Sequence, residues 1–343
     1  MQTIYLDFEK TLEELDKQAD QLLQIQTRSA KQQAELAELG EQLRQHEAEL
    51  SGSLSSWQRL QLARHTDRPF TLDYIEALCS EFVELHGDRV FSDDPAIVGG
   101  LARFQGIPVV VVGHQRGKTV AEKRRRNFGM PLPEGYRKAL RLFHLAERFQ
   151  RPVLTFVDTQ GAHPGVEAEE RGQAEAIAKN IQEMAGLETP IIVTVIGEGG
   201  SGGALALGVG DRVLMQENAC YSVITPEGCA AILYGERTPE NSAWAAEALK
   251  VTAPNVLSLG VIDEIIAEPL GGAHRHAQAA MTAVGTAIAQ HLESVSGLSV
   301  EELTEQRYAK FRRMGEVGII EGGEESNYEA RSVDGTRSVN GAN

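Results

Sequence analysis

The sequence has few cysteines and no pattern that would export or anchor the chain. Its three cysteines, Cys79, Cys220 and Cys229, are scattered, so neither a disulfide framework nor a cysteine zinc site is expected. The N-terminal MQTIYLDFEK lacks the basic-then-apolar pattern of a signal peptide. Apolar runs stay far below the roughly 20 residues of a membrane span. We therefore expect a cytoplasmic protein with no membrane association.

Positive charge is also scarce. The net charge is −16, which argues against a general nucleic-acid binder. One stretch is different, because His114–Arg126 contains six basic residues and a single acid, Glu122. This stretch could bind the phosphate groups of a cofactor or the surface of an acidic partner, or it could be a solvated basic loop. The candidate contact residues are Lys123, Arg124, Arg125 and Arg126.

The composition divides the 343 residues into three parts. Residues 1–65 are predicted to be a helical segment with a break near Thr27–Ser29. Its leucines follow a partial seven-residue repeat, which indicates either a hairpin that packs on the rest of the chain or an oligomerisation coil. Residues 66–314 should form one large α/β domain. Residues 315–343 are rich in Gly, Glu, Ser and Asn, so we predict a disordered tail.

The large domain should begin with a helix and a hairpin. The sequence TLDYIEALCSEFVELHG predicts one helix with Thr71 as its N-cap. Ala96–Phe104 and Ile107–Gly113 predict two strands that are joined at Gln105-Gly106. The second strand is apolar on both faces, so it should be buried in a sheet.

The centre of the chain repeats one unit, in which a buried strand is followed by a glycine-bearing turn and a short helix. The unit occurs at Val153–Gly165, Ile191–Gly203 and Val213–Gly228. Successive units would place their glycine turns on the same side of the sheet. Such turns present backbone N–H groups, which together with helix N-termini stabilise negative charge.

The second unit, PIIVTVIGEGGSGGALALGVGD, permits three interpretations. Gly197–Gly202 fits the dinucleotide fingerprint G-x-G-x-x-G, and Glu217 lies near the expected place of a ribose-binding acid. However, only about ten residues separate Gly202 from the next strand-like run, which is short for a βαβ crossover. Gly199–Gly203 fits the nucleophile elbow G-x-S-x-G, with Ser201 as the nucleophile. Alternatively, the N–H groups of Gly202 and Gly203 form an oxyanion hole and no side chain acts as a nucleophile. Tight packing alone would also explain the glycines.

Six blocks in a fixed order resemble the α subunit of the carboxyltransferase of bacterial and plastid-type acetyl-CoA carboxylase. The resemblance runs from DFEK to about Met314. The blocks are IVGGLARFQGIPVVVVGHQ, NFGMPLPEGYRKALRL, GAHPGVEAEERGQAEAIA, VIGEGGSGGALALGVGD, YSVITPEGCAAILY and IIAEPLGGAHR.

The resemblance implies a crotonase-type α/β fold, a spiral of β-β-α units with an N-terminal helical extension. It implies transfer of a carboxyl group from carboxybiotin to acetyl-CoA, giving malonyl-CoA for fatty acid synthesis. The alternatives are a carboxyltransferase subunit for another acyl-CoA and a serine hydrolase that uses Ser201. Gly202 and Gly203 would hold the ureido oxygen of biotin. The implied substrate-binding residues are Gly161, Ala162, Gly165, Gly199, Gly200 and Ser201.

The resemblance also implies partners. A β subunit with a zinc ribbon would complete the active site in an α₂β₂ heterotetramer, and no metal is expected in this chain. A biotin carboxyl carrier protein would bring the biotin, and an ATP-dependent biotin carboxylase would charge it.

One turn departs from the family pattern T-P-G-A-Y/F-P-G. The sequence has Gln160 in place of a proline and His163 in place of an aromatic residue. We expect the backbone to keep its course and His163 to line the site rather than to act as a base.

Overall fold

The computed structural model describes residues 4–315, which form fourteen α-helices and eight strands. Two single 3₁₀ turns add to these, at Asp7–Glu9 and Asn127–Gly129. The helices of the first half are α1 (Lys10–Leu23), α2 (Ala30–Ser53), α3 (Ser56–Ala63), α4 (Thr71–Leu78), α5 (Val120–Arg125), α6 (Pro133–Arg148), α7 (Val166–Glu170) and α8 (Gln173–Gly186). Those of the second half are α9 (Ser201–Leu205), α10 (Pro226–Tyr234), α11 (Pro239–Ala248), α12 (Ala253–Ser258), α13 (Ala277–Ser296) and α14 (Val300–Arg313).

All eight strands join one sheet in the order β1-β2-β3-β4-β5-β6-β8, and β7 also pairs with β5. The strands are β1 (Cys79–Glu84), β2 (Ile97–Phe104), β3 (Ile107–His114), β4 (Val153–Thr159), β5 (Ile191–Gly200), β6 (Arg212–Gln216), β7 (Cys220–Ser222) and β8 (Glu264–Ile266). The first three strands are antiparallel, and the pairs from β3 onward are parallel. Parallel strands bring the ends of successive units to one edge, as the repeated unit predicts.

Strand β5 shows why the sheet is covered on both faces. All ten of its residues are buried. Ile191, Val193 and Val195 belong to one apolar cluster, and Ile192 and Ile196 belong to the cluster on the opposite face. The run is therefore buried at every position, with apolar residues on both faces, which is typical of a central parallel strand.

The prediction of one helix over TLDYIEALCSEFVELHG, with Thr71 as its N-cap, is wrong in two respects. The helix ends at Leu78, and Cys79–Glu84 form an edge strand that pairs with β2. Thr71 lies inside the helix, where its hydroxyl bonds to the carbonyl oxygen of His114, and the carboxylate of Asp73 caps the helix by accepting from the Phe70 N–H. Sheet pairing outweighs local helix propensity here, because the β2–β3 hairpin offers an open edge.

The N-terminal helices form a hairpin, as predicted, with the turn between Leu23 and Ala30. Ser29 caps α2 in a reciprocal arrangement with Gln32. Leu15, Ala19 and Leu39 form a small apolar cluster that is separate from the two sheet clusters. The leucine repeat therefore closes the hairpin on itself, and a third helix, α3, leads into the large domain.

A buried polar cluster fastens this hairpin to the large domain. Glu9 is 1% exposed and accepts from Leu6 N–H and from His274 Nε2 at 2.8 Å. His65 Nε2 lies 3.0 Å from the Ile4 carbonyl oxygen, and its ring centroid is 4.5 Å from that of His274. The three side chains come from three separate parts of the sequence, so the cluster depends on the folded chain.

We predict that mild acid loosens this attachment. Burial is the largest single effect and would raise the pKa of Glu9, but the hydrogen bond and charge of His274 together with the Leu6 N–H hold that pKa below its ordinary value. Burial, and then the neighbouring His274, lower the pKa of His65. Both groups therefore bind protons more readily in the unfolded chain, so stability should fall as the pH drops below about 6.5 and again below about 4.5.

Hydrogen exchange at pH 7.5 and pH 5.5 tests this prediction. Amides of α1 should lose protection at pH 5.5, whereas amides of α13 should keep theirs. Equal protection of α1 at both pH values would contradict the prediction.

No helix among the described residues is both long and apolar enough to cross a membrane. The predicted disordered tail lies outside the described residues from 316 onward.

Candidate active site

The glycine run after Ile196 is the end of a strand rather than a free loop, which corrects the expected boundary. Strand β5 continues to Gly200, and α9 begins at Ser201. The last part of β5 pairs with Thr159 of β4 on one side and with β7 on the other. The turn is therefore held on both sides by the sheet.

Two of its glycines are required because the neighbouring turn approaches closely. A Cβ atom on Gly200 would lie 2.0 Å from the carbonyl oxygen of Gln160. A Cβ atom on Gly203 would lie 2.6 Å from the backbone N of Ala162. Two successive glycine turns thus pack backbone against backbone, as the repeated unit predicts.

Gly202 has a different environment. A Cβ atom there would meet only the side chain of Ile177, at 3.5 Å. The preceding residue, Ser201, is exposed and has φ of 52°, which turns the chain sharply from strand to helix. The helix N-cap, Gly200, has no side chain that could cap the first N–H groups of α9. Gly202 therefore lies on the open side of the turn, in the first turn of α9, where backbone N–H groups have no partner within the helix.

A cavity of about 410 Å³ lies in front of the two turns. It brings together four of the predicted site residues, namely Gly161, Ala162, Ser201 and Gly202. Gly199 and Gly200 instead line a much smaller space behind the turn. Gly165 caps α7, where a Cβ atom would collide with His163 Nε2 at 2.4 Å.

A second cavity, of about 370 Å³, adjoins the first at Ser201, Gly202 and Val223. Its other lining residues are mostly apolar and come from β7, α12 and the segments beside them. Val223, which lines both cavities, is 74% exposed. An apolar surface of this kind beside a site is typical of a partner interface.

His163, which replaces the aromatic residue of the family pattern, makes contacts through both of its ring nitrogens. Its Nδ1 lies 3.0 Å from Asn127 Nδ2, and its Nε2 lies 2.7 Å from a carboxylate oxygen of Glu167. The backbone carbonyl of His163 accepts from Gln173. These contacts hold His163 at the wall of the larger cavity, where Gln160 also lies.

The sequence alone did not reveal a group of charged residues behind the glycine-rich end of β5. Asp158 is buried, and Arg116 Nη1 donates to it at 3.2 Å. Arg64 donates to Glu198 at 2.6 and 2.8 Å and to Glu227 as well. Burial raises the pKa of Asp158. These residues fix the back of the turn, and their spread over more than 160 positions leaves no local pattern.

His114 lies in the same layer. It is completely buried, and burial lowers its pKa to about 3. Its Nδ1 accepts from the Asp158 N–H at 3.4 Å. His114 is therefore neutral at physiological pH and supports the end of β4.

The basic stretch divides into paired and unpaired residues. Arg116 bonds to Asp158, Lys118 bonds to Asp73 at 2.7 Å, and Arg126 donates to the Pro95 carbonyl at 2.8 Å. Lys123 lines a cavity of about 220 Å³ that also includes Gln160. Arg124 and Arg125 are exposed on α5, which is a helix and not the predicted loop.

The geometry does not support a serine hydrolase. In the part of the chain that the structure describes, no side chain hydrogen-bonds to the Ser201 hydroxyl. His274 and His291 pair with Glu9 and Glu264 instead. Nor does the site resemble a dinucleotide fold, because α9 has only five residues and the carboxylate of Glu217 accepts from the Glu268 N–H.

We therefore expect Ser201→Ala to change the activity of the chain by no more than about threefold, because no base is placed to activate the hydroxyl. A fluorophosphonate probe should leave the wild-type chain unlabelled, with a known serine esterase as the positive control. Labelling of Ser201, or a loss of more than about 100-fold in the alanine variant, would overturn this prediction.

Comparison with solved structures defines the class of protein. The fold is similar to transcarboxylase 12S, with a TM-score of 0.52 at 19% identity over 66% of this chain and 42% of that one. It is also similar to a chain of the Pseudomonas malonate decarboxylase MdcD-MdcE heterodimer, with a TM-score of 0.52 at 21% identity over 64% of this chain and 89% of that one. The chain has the crotonase-like fold of these proteins, as predicted, and spans about two fifths of the transcarboxylase chain.

Sequence comparison then gives the family. Residues 5–315 match the family model described as acetyl co-enzyme A carboxylase carboxyltransferase-like. The acetyl-coenzyme A carboxylase carboxyl transferase subunit alpha of Geobacter metallireducens is 56% identical over 309 residues, covering 90% of this chain and 96% of that protein. The chain belongs to the family of acetyl-CoA carboxylase carboxyltransferase α subunits, which confirms the resemblance seen in the sequence. It is thus a component of a carboxyltransferase enzyme.

Proposed function

We propose that this chain forms the biotin-binding side of a carboxyltransferase that converts acetyl-CoA to malonyl-CoA. The observation that carries the proposal is the position of Gly202, which lies at the start of α9 and lines the 410 Å³ cavity at the meeting point of two glycine turns. A site of backbone donors suits a reaction in which negative charge develops on an oxygen.

The residues present fit the ureido ring of biotin. The cavity has apolar walls at Ala162, Ile177 and Val223, and it opens where a Cβ atom on Gly202 would have room. The bound cofactor would supply the carboxyl group that is transferred to the acyl-CoA. Apolar walls with a few fixed polar groups are typical of small-molecule sites.

The chain's own residues would act through position and electrostatics. The N–H groups of Gly202 and Gly203 would donate to the ureido oxygen as negative charge develops there. The start of α9 adds a small favourable field for that charge. The sheet and the ion pairs of Asp158 and Glu198 keep the donors fixed, so that little reorganisation is needed during the reaction.

The exposed side chain of Val223 and the mostly apolar second cavity support a partner subunit. The family's β subunit, with its zinc ribbon, would cover Val223 and the second cavity and supply the rest of the acyl-CoA site. The similar malonate decarboxylase chain comes from a heterodimer, which supports such a division. We further propose an α₂β₂ assembly in the cytoplasm, served by a biotin carboxyl carrier protein and an ATP-dependent biotin carboxylase in fatty acid synthesis.

The choice of acyl-CoA is tested with the reconstituted complex. Carboxyl transfer to free biotin is measured with malonyl-CoA and with methylmalonyl-CoA as the donor. We expect kcat/KM to be at least about 100-fold higher for malonyl-CoA, within the range by which pockets exclude an extra methyl group. Equal values would point to another acyl-CoA as the substrate.

A further inference from the structure

Two adjacent arginines on α5 have no charge partner within residues 4–315. Arg124 and Arg125 are both exposed in the last turn of the helix. Arg116 and Lys118 are engaged, since they pair with Asp158 and Asp73, whereas Lys123 has no ion-pair partner among the described residues. Burial, and then the charge of the adjacent Arg125, lower the pKa of Arg126.

This concentration of positive charge is unusual for the chain. The net charge of the whole sequence is −16, whereas residues 114–126 contain six basic side chains and one acidic one. Charge that is not neutralised internally produces a local potential that attracts acidic groups. An acidic partner repelled by the rest of the surface would be guided to α5.

The position of α5 connects it to the active site. The 220 Å³ cavity below α5 is lined by Lys123, Phe128 and Gln160, and Gln160 also lines the 410 Å³ site cavity. Phe128 is 47% exposed and has φ of 56°. A large apolar residue in a left-handed conformation beside unpaired arginines gives this surface an apolar centre with a charged rim, as protein interfaces have.

We propose that α5 and Phe128 form the docking surface for the domain that carries biotin, and that the face of this domain that meets α5 is acidic. This proposal rests on the proposed function and names the face from which the biotin arm enters. The arm would pass Gln160 on its way to Gly202.

A site for the phosphates of coenzyme A is less well supported. Phosphate sites use donors that converge on one group, often from backbone N–H groups or fixed arginine forks. Arg124 and Arg125 instead project from an exposed helix with no shared acceptor position. Such side chains suit a broad acidic surface better than a single small anion.

The double variant Arg124→Glu/Arg125→Glu tests the proposal in the reconstituted complex. Carboxyl transfer from malonyl-CoA is measured to two acceptors, the biotinylated carrier protein and free biotin. We expect the ratio of kcat/KM for the carrier to kcat/KM for free biotin to fall at least about tenfold, because reversing interface charge slows association. The wild-type ratio should also fall as salt is raised, and that of the variant should depend less on salt.

Arg312→Glu/Arg313→Glu is a matched control, because it changes two adjacent exposed arginines in the last turn of α14. Its carrier-to-biotin ratio should equal that of the wild type. An unchanged ratio in the α5 variant, or an equal fall in the control, would overturn the proposal. A raised KM for malonyl-CoA with both acceptors would instead assign α5 to coenzyme A phosphates. If the proposed function itself were wrong, the wild-type complex would show no carboxyl transfer to free biotin, which is a different result from a changed carrier-to-biotin ratio.

Discussion

Replacing Gly202 with proline should reduce carboxyl transfer about 10²–10³-fold, which is the usual cost of losing one oxyanion donor. Proline has no backbone N–H and so removes the donor. Gly202 is the better test position of the two, since a Cβ atom at Gly203 would strike Ala162 whereas one at Gly202 has room. The loss should appear in kcat, because the charge develops during the reaction.

Gly202→Ala is the matched control, because it adds a Cβ atom and keeps the donor. It should remain within about threefold of the wild type, and both variants should have the same melting temperature and bind the partner subunit equally. If the proline variant were as active as the alanine variant, Gly202 would not be a donor in the reaction. An equally large loss of carboxyl transfer in both variants would indicate that the shape of the turn, rather than the N–H group of Gly202, is required.

The second large effect concerns stability and involves Arg307 of α14. Its side chain is fully buried and donates twice to Asp211, at 2.9 Å each. It also donates to the carbonyl oxygens of Met184, Leu187 and Thr189. Arg307→Met should lower the free energy of unfolding by about 3–5 kcal/mol, because Asp211 would stay buried without its cation.

Urea unfolding of the full chain measures this loss, with Arg312→Met as the control. Arg312 is exposed on the same helix, so its replacement should change the free energy of unfolding by less than about 0.5 kcal/mol. A loss below about 1 kcal/mol for Arg307→Met would show that the ion pair does not hold α14 to the sheet. The double variant Arg307→Met/Asp211→Leu should recover part of the stability.

The sequence was sufficient to predict the parts of the fold that depend on local patterns. The apolar runs at β3, β4 and β5 predicted buried strands, and the structure buries all of β4 and β5 and the part of β3 from Val109 onward. Ser29 and the leucines around it predicted the N-terminal hairpin. The repeated glycines predicted that two turns meet, which the closeness of Gly203 and Ala162 confirms.

Other features depend on tertiary contacts and have no local pattern. Cys79–Glu84 form a strand only because β2 provides an open edge. The distinction between packing glycines and Gly202 requires the position of the neighbouring turn. The ion pairs of Arg64 and Arg116 join residues that are 42 to 163 positions apart, so composition could not reveal them. The assigned roles of the site residues remain predictions.

The most direct test of the central claim is the reverse reaction, carboxyl transfer from malonyl-CoA to free biotin. It is measured with this chain alone and with the zinc-ribbon partner subunit added. If this chain provides only the biotin side of a shared site, activity should appear only in the complex and should be largely lost with Gly202→Pro. Full activity of the chain alone, or no activity in a verified complex, would contradict that account.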